Sequence, residues 1–195
     1  MNTDRALAAF KQTGALLEGH FVLTSGLHSN QYFQCARLLQ YPEHCETFCG
    51  EIAGRFRETR VDVVVAPALG GIVVGQEVGR QLRARTIFAE RKDGVMQLRR
   101  GFEIRPGERV LACEDVVTTG GSVGEVVEIA KRAGGIVVGF GYIVDRSGGR
   151  APLDLGPEGI RFPVLTMEVV TYKPESCPLC ALGIPVMKPG SRGNA

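Results

Sequence analysis

The spacing of hydrophobic residues along the chain changes near residue 60. Before that point apolar positions recur at helical intervals, and they predict one helix over residues 3–18 and another over residues 42–57. Two short strand candidates, residues 21–23 and 31–33, lie on either side of a polar turn. Beyond residue 60 the apolar residues form near-continuous runs that alternate with helical stretches. The two halves of the pattern therefore predict different kinds of structure.

The continuous apolar runs favour a parallel sheet, because strands that are covered on both faces have no polar side. These runs cover residues 61–66, 86–89, 109–113 and 136–144. Helical stretches follow the first run up to about Leu82 and the third run from about Gly120 onward. We predict an α/β fold in which helices flank a parallel sheet, with residues 1–40 and the C-terminal part as additions to it.

Composition narrows the range of functions. The chain has 195 residues with 23 basic and 21 acidic side chains, which is too balanced for a protein that mainly grips nucleic acid. No apolar run approaches the roughly 18 residues that span a membrane, and the N-terminus lacks the apolar core of a signal peptide. We expect a cytoplasmic protein that binds neither membrane nor nucleic acid. Glycine is about twice as common as average, and 16 of the 26 glycines lie from Gly70 to Gly149.

The six cysteines do not form a disulfide framework. Cys45 and Cys49 share a helical stripe with apolar residues, and Cys113 ends an apolar run, so we expect all three in the core. Cys177 and Cys180 have the spacing of metal ligands, but a zinc site needs two more. All three histidines precede residue 45 and show no paired spacing. We therefore expect a reduced C-terminal turn rather than a zinc site.

The segment that carries the most chemistry begins at the adjacent carboxylates of Glu114 and Asp115. A loop of hydroxyls and glycines follows them and enters a helix. Backbone N–H groups at a helix N-terminus suit a phosphate, and glycine lets the backbone approach it closely. The carboxylates would repel a phosphate and suit sugar hydroxyls. A phosphorylated sugar is the predicted ligand, although Ser122 followed by Glu125 also fits an ordinary capping box.

Residues 114–122 resemble the phosphoribosyl diphosphate (PRPP) signature of the type I phosphoribosyltransferases. The resemblance implies that residues 118–122 bind the 5′-phosphate and that Glu114 and Asp115 contact the ribose hydroxyls. It also implies Mg²⁺ held mainly by diphosphate and ribose hydroxyls, without a direct protein ligand. The implied PRPP-binding residues are Glu114, Asp115, Val116, Val117, Thr118, Thr119, Gly120, Gly121, Ser122, Arg91, Lys92, Ala68, Leu69 and Gly70.

Further segments are similar to the orotate phosphoribosyltransferase family. Residues 21–26 with 32–33 resemble its N-terminal hood, residues 66–72 its diphosphate loop, and residues 91–92 the start of its mobile loop. The resemblance implies one domain, with the hood over 1–40, the α/β core over 41–172 and an extension over 173–195. The implied reaction joins orotate to PRPP, releasing diphosphate and giving orotidine 5′-monophosphate for pyrimidine synthesis.

Arg146 is the expected ligand of the orotate carboxylate. Asp145-Arg146 matches the family's Asp-Arg pair, and a guanidinium fork suits a carboxylate. We place Thr118, Tyr32 and Phe33 beside it, the two aromatic rings as a wall for the planar base. Strand alternation would bury one of those two rings, so a core position is the alternative for it.

The basic segment over residues 91–105 holds five basic and two acidic side chains. It lacks clear matches to the family's second lysine and histidine, and Arg99 or Arg100 is expected to replace them. Gly70 likewise stands where members often have lysine in the diphosphate loop. The concentration of basic side chains indicates a clamp on diphosphate, with a solvated hairpin as the alternative. The family resemblance implies that this clamp closes over the neighbouring subunit of a homodimer. The predicted catalytic residues are Asp115, Glu114, Arg99 and Arg100.

Two other functions fit part of the pattern. A purine phosphoribosyltransferase shares the PRPP loop but has no use for a carboxylate-binding Arg146. A non-catalytic PRPP-sensing regulator of the same fold would normally add a nucleic-acid module or a broad basic face, and neither is evident in the sequence.

Overall fold

The computed structural model describes residues 1–23, 25–167 and 169–189. Helices and strands alternate through the middle part of the chain. In chain order the elements are α1 Thr3–Gln12, β1 Leu16–Val22, β2 His28–Phe33, α2 Cys35–Leu39, α3 Pro42–Arg55, β3 Val63–Pro67, α4 Gly70–Leu82, β4 Arg85–Lys92, β5 Val95–Leu98, β6 Arg109–Val117, α5 Gly121–Arg132, β7 Ile136–Asp145, β8 Ile160–Thr166, β9 Thr171–Tyr172 and α6 Pro178–Ala181.

The main sheet has six strands in the order β5-β4-β3-β6-β7-β8, and all of them except β5 run parallel. On β3, Val64 and Ala66 pack towards the core shared with α3 and α4. Val63 and Val65 pack towards the core shared with α5. Both faces of the sheet are covered, which is why its strands appear as continuous apolar runs. The predicted α/β fold is confirmed.

The first helix is shorter than its apolar spacing predicts. It ends at Gln12, and Gly14 then takes a φ of +64°, a conformation that L side chains rarely adopt. The chain reverses there, and Leu17 lies in β1. The predicted helix over 3–18 is wrong in its second half, because the glycine that ends the helix outweighs the spacing of the leucines that follow.

Five elements were not predicted: α2, β5, β8, β9 and α6. The β4–β5 hairpin turns at Asp93 and Gly94, whose φ values of +53° and +81° are typical of a tight two-residue hairpin turn. Strand β8 lies at the edge of the sheet and contains Pro163, which a central strand would not accommodate. Strands β5 and β8 contain polar residues, and β8 also contains proline, so neither forms the continuous apolar run from which the other strands were predicted.

The hood is a separate antiparallel sheet in the order β1-β2-β9. Its third strand comes from residues 171–172, outside the predicted hood. Helices α1 and α2 pack instead into the main core, where Phe10 meets Phe33 at 5.3 Å and Phe48 at 5.6 Å between ring centroids. The extension returns to the hood, since Val22 N–H donates to the Met187 carbonyl at 2.9 Å. Residues 190–195 of that extension, and Thr24 in the hood, lie outside the described residues.

Two smaller expectations concern burial and length. Cys45, Cys49 and Cys113 are buried free thiols, as their apolar neighbours predicted. Within the described part of the chain, no helix has both the length and the apolar character needed to cross a membrane.

Candidate active site

The two adjacent carboxylates lie inside β6 rather than after it. Strand β6 continues to Val117, which pairs with Asp145 of β7. Glu114 and Asp115 therefore lie within the last four residues of this strand. Strand β6 is central in the sheet, between β3 and β7. Its carboxyl end is therefore at the edge where parallel α/β sheets bind their ligands.

The loop after β6 forms an open cradle at the N-terminus of α5. A small cavity is lined by Glu114 and by residues 116–123. Gly120 is the N-cap residue with a φ of +77°, and no side chain caps the helix. The capping-box alternative is wrong, because Ser122 lies within α5 and Glu125 binds Arg91 instead. The first-turn N–H groups of a 12-residue helix thus remain available for an anion.

Glu114 and Asp115 each use one carboxylate oxygen in a described backbone hydrogen bond. Glu114 accepts a hydrogen bond from the Asp115 N–H at 3.1 Å, and Asp115 accepts one from the Val116 N–H at 2.8 Å. Glu114 is buried, and desolvation, reinforced by the negative charge of Asp115, raises its pKa well above the ordinary range. A buried carboxyl group with a strongly raised pKa beside a second carboxylate is typical of a functional site.

Residues 70–71 of the predicted diphosphate loop, which covers residues 66–72, pack directly against this carboxylate pair. Modelling a methyl group onto Gly71 would place it 3.0 Å from Glu114 Oε1, and Gly70 lies against Asp115. The Ala68 N–H donates to the Ala89 carbonyl at 2.8 Å, and Leu69 is 77% exposed. The Ala68–Leu69 peptide bond is cis. The fold therefore brings the implied diphosphate and ribose segments side by side, although 43 positions separate them along the chain.

Asp145 shapes the loop that carries Arg146. It is buried and accepts hydrogen bonds from the Ser147 N–H and hydroxyl at 2.7 Å, from the Tyr142 hydroxyl at 3.1 Å and from the Gly149 N–H at 3.1 Å. Asp145 had no predicted role of its own. Its strand-end position was the available signal, since a carboxylate there commonly ties down the following turn.

Among the described residues, the buried guanidinium nitrogen Nε of Arg146 has no hydrogen-bond partner. Burial lowers its pKa, and no carboxylate pairs with it among the described ion pairs. A half-buried cation without a counter-ion is costly, and an anionic ligand would remove that cost. The Arg146 N–H donates to the Val117 carbonyl at 2.8 Å, which places the arginine next to Thr118 at the start of the phosphate cradle.

The two predicted aromatic residues separate as strand alternation requires. The Tyr32 ring lies 6.0 Å from the Arg146 guanidinium carbon, and its own pKa is raised chiefly by desolvation. Phe33 points the other way and is buried against Phe10. The prediction that Phe33 contacts orotate is therefore wrong, because this ring belongs to the core.

The basic segment forms the β4–β5 hairpin and the turn after it, as its alternative interpretation described. Arg91 makes two bonds to Glu125 of α5, at 3.0 and 2.5 Å. Arg99 and Arg100 both bind Glu90, at 3.4 and 3.1 Å. Lys92 is exposed. Arg91 thus reaches the first turns of α5 beside the phosphate cradle, whereas the described partner of the other two arginines lies within the hairpin.

Comparison with known proteins agrees with this geometry. The family model described as a phosphoribosyl transferase domain matches residues 38–161. The chain is 58% identical over 195 residues to an orotate phosphoribosyltransferase of Chlorobaculum parvum, covering 100% of this chain and 99% of the relative. It is 56% identical over 192 residues to an orotate phosphoribosyltransferase of Pelotomaculum thermopropionicum, covering 98% of this chain and 99% of that one.

Solved structures of enzymes named for different bases show the same fold. Orotate phosphoribosyltransferase from Aeropyrum pernix superposes with a TM-score of 0.68 at 26% identity, covering 84% of this chain and 93% of that chain. Adenine phosphoribosyltransferase from Rhodothermus marinus gives the same TM-score at 23% identity, covering 84% and 99%. The second likeness shows the fold alone, so the choice of base depends on the site residues and on the full-length relatives.

Proposed function

The chain belongs to the orotate phosphoribosyltransferases and transfers the phosphoribosyl group of PRPP to orotate, and we propose that Arg146, the phosphate cradle and the Glu114–Asp115 pair divide the binding of the two substrates. The reaction gives orotidine 5′-monophosphate and diphosphate, a step of pyrimidine nucleotide synthesis. The observation that carries the assignment of roles is the unpaired, half-buried guanidinium of Arg146 beside the cradle.

Orotate binds with its carboxylate on Arg146 and its ring against Tyr32. The guanidinium offers a planar fork whose buried Nε lacks a partner, and a carboxylate supplies both the charge and the acceptor that this nitrogen needs. Adenine and hypoxanthine have no carboxylate to offer. Arg146 therefore selects an acidic pyrimidine over a purine.

PRPP binds across the ends of β3 and β6. Its 5′-phosphate takes the N–H groups and hydroxyls of residues 118–122 at the uncapped end of α5. Its ribose hydroxyls face the carboxylates of Glu114 and Asp115, and its diphosphate lies along residues 68–70. Val116 and Val117 contribute only through their backbone, since the Val117 side chain is in the core.

The chemical step joins a ring nitrogen of orotate to the anomeric carbon of ribose. The bond from that carbon to diphosphate breaks, and its electron pair leaves on the diphosphate oxygen, which takes up the proton that the ring nitrogen gives up. Positive charge that develops on the ribose is stabilised by the Glu114–Asp115 pair. Arg91 and Lys92, joined by Arg99 and Arg100 once these leave Glu90, neutralise the departing diphosphate.

Mg²⁺ fits this site as a partner of the substrate. The Asp115 carboxylate oxygen Oδ2, which accepts no described backbone hydrogen bond, suits the water shell of an ion carried by diphosphate and ribose hydroxyls. When bound, Mg²⁺ supplies positive charge to the leaving diphosphate.

The protein acts as a homodimer in which the basic hairpin serves the neighbouring subunit's site. This assignment accounts for Arg99 and Arg100, whose described contacts are with Glu90 rather than with the Glu114–Asp115 pair. Closure of the hairpin would exclude water and protect PRPP from hydrolysis.

A diphosphate-release assay tests these proposals together. PRPP and Mg²⁺ are supplied with orotate, uracil, adenine or hypoxanthine, and only orotate is expected to support turnover. Turnover of a purine would contradict the role of Arg146. Binding of PRPP without turnover of any base would indicate a sensor rather than an enzyme.

A further inference from the structure

Four potential metal ligands meet where the C-terminal extension crosses the hood. His20 of β1, His28 of β2, Cys177 and Cys180 bring their ligand atoms within 4.8 Å of one another. The sequence shows no further ligand near the two cysteines, whereas the fold brings His20 and His28 to them from more than 150 positions earlier in the chain. None of the four residues lines the phosphate cradle.

The distances within this cluster approach those of a tetrahedral site. Cys177 Sγ lies 3.6 Å from His20 Nε2, and Cys180 Sγ lies 3.7 Å from His20 Nε2 and 3.3 Å from His28 Nδ1. Around zinc, with Zn–S of about 2.3 Å and Zn–N of about 2.0–2.1 Å, sulfur and nitrogen ligands are about 3.5 Å apart. The two imidazole nitrogens are 2.8 Å apart and need to open by roughly half an ångström to reach tetrahedral spacing.

The orientation of His20 is set by a contact typical of metal-binding histidines. Its Nδ1 lies 2.7 Å from the Ile184 carbonyl oxygen, and a carbonyl can only accept, so Nδ1 carries the proton. The lone pair of Nε2 is then directed at the cluster. Backbone carbonyls commonly hold zinc-binding histidines in this way.

The extension has little else to hold it in place. Of its described residues 173–189, only Cys177 is buried, while Leu182 is 74% exposed and Val186 is 53% exposed. Two backbone hydrogen bonds join Met187 to β1, from the Met187 N–H to the His20 carbonyl and from the Val22 N–H to the Met187 carbonyl. A segment without a hydrophobic core of its own usually needs a covalent or metal staple.

We propose that His20, His28, Cys177 and Cys180 form a structural zinc site that fastens the C-terminal extension to the hood. Two thiolates and two neutral imidazoles in tetrahedral array select Zn²⁺ over harder cations such as Mg²⁺. Binding releases the two thiol protons, so the bound group is electrically neutral. With four protein ligands the ion has no open position for a substrate, and its role is to hold β1, β2 and the extension together.

The metal content of the purified protein is the direct test. One zinc per chain is expected, and Cys180→Ser and His28→Ala should each lose it. Cys45→Ser is the matched control, since Cys45 is a free thiol in the core and should leave the zinc content unchanged. Because Cys180 is exposed, its replacement by serine should not by itself prevent folding.

Cobalt substitution identifies the ligands without relying on a variant. Protein in which Co²⁺ replaces Zn²⁺ should show thiolate-to-cobalt charge transfer and the strong visible bands of a tetrahedral ion. Hydrogen exchange should quicken in residues 173–189 when zinc is removed by a chelator. A Cys177–Cys180 disulfide by mass spectrometry, or two freely titrating thiols in protein that takes up neither Zn²⁺ nor Co²⁺, would overturn the proposal. Both tests are independent of orotate turnover.

Discussion

Gly70 leaves room for the carboxylate of Asp115, and any larger residue at position 70 would occupy that room. A Cβ atom at Gly70 would overlap Oδ2 of Asp115 and lie 3.0 Å from its Oδ1. The φ of Gly70 is not positive, so the requirement is one of space rather than of backbone conformation. Family members often carry lysine at this position, and here the carboxylate fills the place that such a side chain would need.

Gly70→Ala should therefore reduce catalysis while leaving the fold intact. The added methyl group turns the Asp115 carboxylate away from the ribose hydroxyls, and such a displacement is expected to lower kcat/KM for PRPP by about 10²-fold. Steady-state kinetics with varied PRPP checks the result. Gly54→Ala is the matched control, because a Cβ at Gly54 in α3 meets nothing within 4 Å. Equal activity of the two variants would contradict the proposed role of Asp115.

Arg146→Ala should separate the two substrates. Loss of the guanidinium removes the partner of the orotate carboxylate, worth about 2–3 kcal/mol for a charge-assisted pair, or 30- to 150-fold in the KM for orotate. The KM for PRPP should change by much less. Arg150→Ala, which removes an exposed arginine from the same loop, controls for the loss of one positive charge. Equal losses for both substrates would argue against carboxylate recognition.

The same variant offers a stability measurement. A half-buried guanidinium without a counter-ion destabilises the folded state, so Arg146→Ala in the absence of ligand should melt no lower than the parent. Orotate should raise the melting temperature of the parent and leave that of Arg146→Ala unchanged. A large loss of stability in the variant would show that Arg146 serves packing instead.

Much of this architecture is predictable because it is local. The continuous apolar runs of β3, β6 and β7 and the helix Gly70–Leu82 are visible from residues close in sequence, and the segment 114–122 carries its chemistry within nine positions. The prediction of α1 failed because two local signals disagreed. The helical spacing of the apolar residues continues to Leu17, but Gly14 ends the helix before it. The choice between Tyr32 and Phe33 depended on which face of β2 met the core.

The zinc ligands show what sequence spacing cannot provide. His20 and Cys177 are 157 positions apart, and only the antiparallel hood and the return of the extension along β1 bring them together. Neither histidine sits in a pair with metal-ligand spacing. The same reasoning applies to the unpaired Nε of Arg146, since the absence of a partner is a property of packing and not of pattern.

Glu114→Gln should stabilise the fold as it impairs catalysis. The pKa of Glu114 is raised in the folded state, so the folded protein holds this proton more tightly than the unfolded chain. Stability therefore falls as pH rises above about 4.3, the ordinary glutamate value, until the raised folded pKa is passed. The melting temperature of the glutamine variant should exceed that of the parent at pH 8, and the difference should shrink towards pH 4.

Thermal unfolding across this pH range, without substrates, is the measurement. A gain on the order of 1 kcal/mol corresponds to about 2–4 °C for a chain of this size. Glu58→Gln is the control, because Glu58 is exposed and should show no such pH-dependent gain. A glutamine variant that melts below the parent at every pH would mean that the ionised carboxylate is net stabilising.

Subunit complementation tests whether the basic hairpin acts in the neighbouring site. Asp115→Asn disables the ribose side of a subunit's own site, and the double variant Arg99→Ala with Arg100→Ala disables its hairpin; each homodimer should lose activity by about 10²- to 10³-fold. In a heterodimer of the two, one site combines an intact Asp115 with an intact hairpin from the partner. The two variants are given different tags and co-expressed, and the heterodimer is purified through both tags. It should show about half the diphosphate release of the parent dimer. If the hairpin serves its own subunit, both sites stay disabled and no activity returns; a chain that is monomeric by light scattering would equally exclude the shared site.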